Sequence, residues 1–489
     1  MPQRPGEHSF YEIAKEHKRK SRVLFIVLLA FNTAAVIIFF LAISAIAGLF
    51  FARPQVFSVS TLAGLAPLAV FFSLALAAFE FGDARRNGPP FILKRLSAQT
   101  PDLADRYHQR LADVVEEMRI ASGLEEVKAY VIPDHTVNCL ALVEPDATPC
   151  IVMTEGMLAD FTRDELQAAA AHEAAHILRG DAVFMTLVYA LGDFFERLRD
   201  LRQSSDSLGP DHPLPLTTLL VRFLVRTISR EREVLADAVA VELSRSPIAL
   251  ARAIYKAHLG NSFVGAFDPA YASLFIVSPG SGGNGEDAKT DWWDTHPPLM
   301  KRIRVLAEMA HLKAEDVIRQ VWDGRAGRET AQSIQNIREK TSEESPAAPD
   351  PTPLPAGGCP RCGIPLGATF YEGVPIGICH RCGGKLVEEK AVDRILARTE
   401  IGFAPELRRK AEAFRAGFLR NPIAALKMND RVSPHPPCPN CGYPMRTRPF
   451  NYAYFVPVDK CLSCFRLWFD ADELEILQIL VEEAKNPLV

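Results

Sequence analysis

Residues 168–181 read AAAAHEAAHILRGD. His172 and His176 stand four apart, so on a helix they share one face. Zinc takes imidazole nitrogen at about 2.0–2.1 Å, and this spacing lets one helix offer two ligands. Glu173, beside the first histidine, is placed to accept a proton from a metal-activated water and pass it on. The chemistry on offer is metal-assisted hydrolysis. The competing reading is an alanine-rich helix with two chance histidines, and the five-residue pattern alone does not separate the two.

A second stretch, SREREVLADAVAVEL (229–243), also reads as a helix. Glu233 and Asp237 are again four apart. Glu233 can complete a two-histidine, one-carboxylate site with its fourth position left for water. Asp237 can accept a hydrogen bond from a ligand histidine and fix its orientation. The alternative is a charged, solvated face, to which Glu231 and Arg232 are assigned.

With these pieces in order, residues 1–315 resemble the HtpX-like membrane zinc metalloproteases, relatives of the prenyl-protein (CAAX) protease. The resemblance rests on HEAAH (172–176), SREREVLAD (229–237) and THPPLMKR (295–302). It implies zinc on His172, His176 and Glu233, with Glu173 as general base. It implies His296 and Arg302 near the scissile carbonyl, where they would stabilise the oxyanion. It implies polypeptide substrates, membrane or misfolded proteins at the cytoplasmic face. Such proteins also carry an Asn-Ala-type strand at the cleft. Here Asn138, Cys139, Leu140 and Ala141 occupy it, with Cys139 where a small residue is usual. An edge strand there could pair with an extended peptide.

The elements that position these residues follow from patterning. At roughly 150 residues per domain, a chain of 489 suggests about three units. Residues 1–22 form a polar head. Residues 23–51 carry no charge, and a second uncharged run covers 54–79. Each suits a spanning helix of about 20 residues, which makes 23–82 a transmembrane hairpin. Basic residues flank both ends, while the short connection carries only Arg53. Positive flanks stay inside, so the remainder should lie on the cytoplasmic side of the inner membrane. The apolar runs 182–192 and 213–221 are too short to span and read as helices lying on the membrane or shielding the cleft.

Asn87-Gly-Pro-Pro90 reads as a break before a polar helix at 101–122. Short apolar runs at 127–132, 137–142 and 150–154 read as strands. Thr162 and Glu165 have capping-box spacing, opening a long helical stretch over 163–260, with Gly180 a candidate C-cap. Residues 301–322 read as helix. The metalloprotease domain thus takes 83–325 and a proline-rich linker 326–358.

Eight of ten cysteines fall in Cys-x-x-Cys pairs. Cys359, Cys362, Cys379 and Cys382 make one quartet, and Cys438, Cys441, Cys461 and Cys464 another. Four thiolates at this spacing suit a tetrahedral structural zinc, and also iron. The units take 359–400 and 438–489, with a connecting helix in 401–437. The second resembles the zinc ribbons named after transcription factor IIB, a type we extend to both. Over 359–489, 18 basic residues face 15 acidic ones. Nucleic-acid modules show a clustered basic face, so a protein partner is favoured over nucleic acid.

The fold expected is α+β: a transmembrane helical hairpin, a mostly helical zincin-like domain with a small sheet, and two C-terminal ribbons. Three zinc ions are expected, one catalytic and two structural. A non-catalytic membrane scaffold whose ribbons recruit a protein or nucleic-acid partner is the second reading.

Overall fold

The computed structural model describes residues 26, 29–30, 33–34, 37–38, 59–192, 232–260, 274–277, 297–324, 357–399, 401–420, 436–450 and 456–485. Most of the first apolar run, the 213–221 run, the linker and His296 lie outside these residues.

The sheet at the centre of the first unit is built from β-branched and apolar runs. Strands β1 (Lys128–Ile132), β2 (Cys139–Val143) and β3 (Pro149–Thr154) take the order β1-β3-β2, with β1 parallel and β2 antiparallel to β3. Their period-two alternation divides two cores. Cys139, Ala141, Ile151 and Met153 face one cluster, while Leu140, Leu142, Cys150 and Val152 face the other.

Helix α1 (Val59–Arg95) packs on the second cluster. Ser73, Ala77, Glu80 and Ala84, spaced by three or four, are buried. The expected break at residues 87–90 is not there: α1 runs on through Pro89 and Pro90. Packing outweighs the local proline penalty, because Ile92 and Leu96 are carried into the core. Leu68, Phe71, Phe72 and Phe79 on the same helix are exposed. Among the described residues no helix is long and apolar enough to cross a membrane.

Helix α2 (Arg106–Ser122) starts on an Asp105 cap and packs on the first cluster. Helix α3 (Glu155–Asp160) follows β3 directly. Helix α4 (Arg163–Leu178) opens with the capping box of Thr162 and Glu165. The long helical stretch is not continuous. Gly180, at φ 72°, separates α4 from α5 (Asp181–Gly192), and Arg245, at φ 55°, separates α6 (232–244) from α7 (Pro247–Leu259). Left-handed backbone ends a right-handed helix. The 301–322 helix is likewise two helices, α8 (Leu299–Met309) and α9 (314–324).

The cysteine-rich units join into one sheet. Strands β4 (Gly367–Tyr371), β5 (Val374–Ile378) and β6 (Lys385–Glu388) meet β7 (Arg446–Pro449), β8 (Pro457–Lys460) and β9 (Arg466–Phe469) in the order β4-β5-β6-β9-β8-β7. The seam is β6–β9, antiparallel, with Leu386 opposite Trp468. Units this small lack a core of their own. Sharing a seam buries Trp468 among cysteines of both quartets. Helices α10 (Glu389–Ala397), α11 (Pro405–Arg420) and α12 (Glu473–Lys485) cover the sheet. Helix α10 and its C-cap also dock on the first unit: Arg394 Nε donates to Glu155 Oε1 at 3.2 Å, and the C-cap residue Arg398 pairs with Asp105.

Candidate metal centre and active site

Helix α4 is buried along almost its whole length. Ala168–Ala171, Ala174 and Ala175 have no bulk, so neighbouring elements approach closely and the histidines stay inside. The Nε2 atoms of His172 and His176 lie 3.1 Å apart. Helix α6 brings Glu233 to the same point, with Oε2 3.5 Å from His172 Nε2 and Oε1 3.6 Å from His176 Nε2. Ligands at about 2.0–2.1 Å in a tetrahedron stand about 3.3 Å apart, so the donor set fits zinc.

Each histidine has an outer partner. His172 Nδ1 faces Asp237 Oδ1 at 3.0 Å, and His176 Nδ1 faces Asp181 Oδ2 at 3.5 Å. Burial works to lower the His172 pKa, but Asp237 and Glu233 outweigh it and raise it to about 9. Burial lowers His176 to about 4. Burial pushes Glu173 up to about 7, close to where a general base works best.

Glu173 touches β2. Cys139 Sγ lies 3.2 Å from Glu173 Oε1. Burial beside that carboxyl drives the thiol pKa well above its usual range, so Cys139 stays protonated and donates. This is a defined contact at the position expected to hold only a small residue.

The outer edge of β2 is not open as expected. Ile276 N donates to Cys139 O at 3.0 Å, Phe275 bridges Leu140, and Asn138 Nδ2 donates to Val277 O at 2.9 Å. Buried edge amides and carbonyls need partners, and residues 274–277 supply them. Of the four expected substrate-strand residues, Ala141 lines the cleft together with Glu173, His176, Arg232 and Glu233.

Arg302 reaches the site from α8, with Nη2 3.9 Å from Glu233 Oε2. Nε and Nη2 donate to Asp237 at 2.8 and 2.7 Å, and Nη1 donates to Ile276 O at 2.9 Å. Burial works to raise the Asp237 pKa, yet Arg302 holds it below the usual carboxylate range. This geometry makes Arg302 a clamp joining α6, α8 and the 274–277 segment, where an oxyanion partner was expected.

Arg232 is also corrected. It is 7% exposed and donates from Nη2 to Glu233 Oε1 at 3.2 Å. The signal was present: Arg232, Ala236 and Ala240 repeat every four residues on one buried stripe. Asp181 was missed as well, and only its place just after the helix-ending Gly180 marks it.

The cysteine quartets show the same convergence. Sγ atoms of Cys359 and Cys382, and of Cys438 and Cys464, are 3.6 Å apart; those of Cys441 and Cys461 are 3.5 Å apart. Thiolates at about 2.3 Å from a tetrahedral zinc stand about 3.8 Å apart. The Tyr443 amide lowers the Cys441 pKa to about 7, which favours the ligating thiolate.

Comparison with known proteins agrees with this geometry. The model of peptidase family M48 matches residues 105–310. A protease HtpX homolog of Thermococcus sibiricus is 31% identical over 219 residues, 41% of this chain and 73% of that protein. The chain belongs to peptidase family M48. Two further protease HtpX homologs, from Acidiphilium cryptum and Dictyoglomus thermophilum, are similar to it. The first is 33% identical over 41% of this chain and 74% of its own length. The second is 29% identical over 62% and 95%. The transcription factor zinc-finger model matches residues 358–398, the first cysteine unit of this M48 protein. No solved structure matches. An M48 metalloprotease acts on polypeptides, and zinc is its metal.

Proposed function

We propose that this M48 protein is a membrane-anchored zinc endopeptidase with His172, His176 and Glu233 as ligands of one catalytic zinc, a gluzincin arrangement. The observation that carries the reading is the convergence of three buried side chains from two helices: the histidine Nε2 atoms stand 3.1 Å apart, and each faces one of the two Glu233 oxygens, at 3.5 and 3.6 Å. When bound, zinc supplies the Lewis acidity that makes water a nucleophile near neutral pH. Glu173 accepts the water proton and delivers it to the leaving amine. Cys139 orients Glu173, while Asp237 and Asp181 orient the histidines. Residues 83–325 form the peptidase unit.

The cysteine quartets hold two structural zinc ions, and the joined ribbons from 359 onward serve as a docking unit for a protein partner. Anchoring is supported by the uncharged run 23–51, by the basic flanks and by the exposed apolar face of α1. Large exposed apolar surface marks a contact with membrane or protein. The basic flanks put the cleft and ribbons on the cytoplasmic side, where membrane and misfolded proteins are the substrates.

Glu173→Gln tests the catalytic assignment. It should abolish casein cleavage while zinc content, measured by mass spectrometry of the metal, stays at the parent level. A variant that cleaves like the parent refutes it.

A further inference from the structure

We propose that Arg394, on α10 of the first cysteine unit, is a positioning residue for the general base of the peptidase unit, so that the docked ribbon controls the rate of cleavage. The proposal rests on the reading of Glu173 as that base. Its first support is the charge across the contact. The peptidase unit meets α10 with acids: Arg394 stands 3.6 Å from Asp102, 3.7 Å from Asp105 and 3.2 Å from Glu155. The Glu155 oxygen that takes Arg394 also lies 2.8 Å from His108 Nε2. Arg398 fastens the same contact. It pairs with Asp105, lies 4.6 Å over the Tyr107 ring and donates to Glu372 O of its own unit at 2.7 Å. Burial pushes the Asp393 carboxyl on the same helix up to about 8, and Asp134, Glu155 and Glu389 add to it. Near neutral pH it is therefore protonated and does not oppose the acidic face.

The second support is what Glu155 is attached to. It opens α3, and the residues on either side of it are bonded to the turn that leads into β2. Thr154 Oγ1 donates to Thr136 O at 2.6 Å and accepts from Asn138 N at 3.0 Å, and Gly156 N donates to Asp134 O at 3.0 Å. A Cβ at Gly156 would stand 2.1 Å from His135 O, so the two backbones are in direct contact. The turn ends at Asn138, and the next residue, Cys139, donates from Sγ to Glu173 Oε1 at 3.2 Å. Glu155, Thr154, Asn138, Cys139 and Glu173 are all buried. A close-packed interior transmits displacement instead of absorbing it. A shift of α10 is therefore passed from Glu155 to the turn and from Cys139 to the base. A reacting group misplaced by about 1 Å can cost on the order of 100-fold in rate. A partner seated on the ribbons acts on catalysis by moving α10.

The test uses the full-length protein loaded with zinc. Arg394→Ala should lower kcat on labelled casein about 10- to 100-fold, with little change in KM and with zinc content at the parent level. Amide hydrogen exchange should quicken at residues 134–139 and stay at the parent rate in α4. Arg394→Lys, which keeps the charge, should recover part of the rate. Glu155→Gln should slow the enzyme as well. The double variant Arg394→Ala, Glu155→Gln should be no slower than the slower single, because both changes cut one contact. Parent kcat in Arg394→Ala overturns the proposal, and so does a fall in kcat without faster exchange at 134–139. Losses that multiply in the double variant overturn it too, since two independent faults would then be at work. Loss of zinc from Arg394→Ala also overturns it, because the arginine would then only hold the ribbon fold. If the parent neither binds a zinc that Glu233→Ala removes nor cleaves casein, the ligand assignment itself fails, and exchange at 134–139 still decides whether Arg394 holds the turn.

Discussion

Removing the Asp237 carboxylate should damage the protein in two separable ways. Asp237 is 5% exposed and takes both the Nε and Nη2 donors of Arg302, which is 4% exposed. Asp237→Ala strands that guanidinium in the interior. Breaking a buried ion pair from one side costs about 3–5 kcal/mol. For a unit of this size about 1 kcal/mol shifts Tm by about 2–4 °C, so the apo protein should melt about 6–20 °C lower. The second loss is at His172, whose Nδ1 faces Asp237 at 3.0 Å. Loss of such a partner weakens metal binding about 10- to 100-fold. At saturating zinc this removes a further ~1.4–2.7 kcal/mol of linked stability.

Arg302→Met separates the two effects. It leaves Asp237 on His172, so the melt should fall while zinc affinity, read by chelator competition, changes little. The double variant should recover about 1–3 kcal/mol relative to the sum of the singles, the coupling expected of contacting residues. If Asp237→Ala binds zinc and melts like the parent, the clamp is not a source of stability. If Arg302→Met loses zinc as severely as Asp237→Ala, the assignment of Asp237 alone to the histidine is wrong.

The joined ribbon sheet predicts shared metal loading: metal analysis should give about three zinc per chain, and Cys461→Ser should lower the count by about two because the quartets share the β6–β9 seam. A loss of only one would show that the ribbons load independently. Zinc binding at the histidine site should also release protons in a pH-dependent number. Before metal binds, His172 titrates near 9 and Glu173 near 7. Below about pH 7 both are protonated and about two protons should leave; above 7 the Glu173 share goes while a zinc-bound water would add its own; above 9 the His172 share goes too, so release should fall by about one. Calorimetry of the apo protein in buffers of different ionisation enthalpy counts them, and release that does not fall with rising pH would contradict these values.

Much of the site was legible because it obeys helical spacing. His172 with His176, and Glu233 with Asp237, fall at i and i+4. The capping box at Thr162 and the three short strands are set by local chemistry, and they stand where their patterns place them. What escaped depends on tertiary context. Arg232 is a charged residue in a charged run, and residue type argued for solvent. Only the small residues below it on the same stripe, Ala236 and Ala240, pointed inward. Arg302 was aimed at substrate on resemblance, yet its bidentate partner lies 65 residues away. The β6–β9 seam joins strands that are about 80 residues apart, and no period or turn signal announces such pairing. The prolines at 89 and 90 failed as a break because burial of Ile92 and Leu96 overrides local preference.

The buried charges explain why these particular residues occur together. Among the described residues, four carboxylates stand around the ligand atoms, Glu173, Asp181, Glu233 and Asp237, with two buried guanidiniums, Arg232 and Arg302, and with Arg179, whose Nε lies 3.6 Å from Asp181 Oδ2. Counted formally, these carboxylates exceed the arginines by one. Buried negative charge is costly unless it is matched. A bound cation supplies that match. Without one, protons on the cluster supply it. The titration behaviour agrees: His172 is pushed up to about 9 and Glu173 to about 7, the two groups that would carry those protons. Arg302 donates twice to Asp237 and also stands 3.9 Å from Glu233 Oε2, while Arg232 donates to Glu233 Oε1. The two arginines therefore share the charge of the one carboxylate that faces both histidines. Exchanging either for a neutral residue shifts the cluster by one charge.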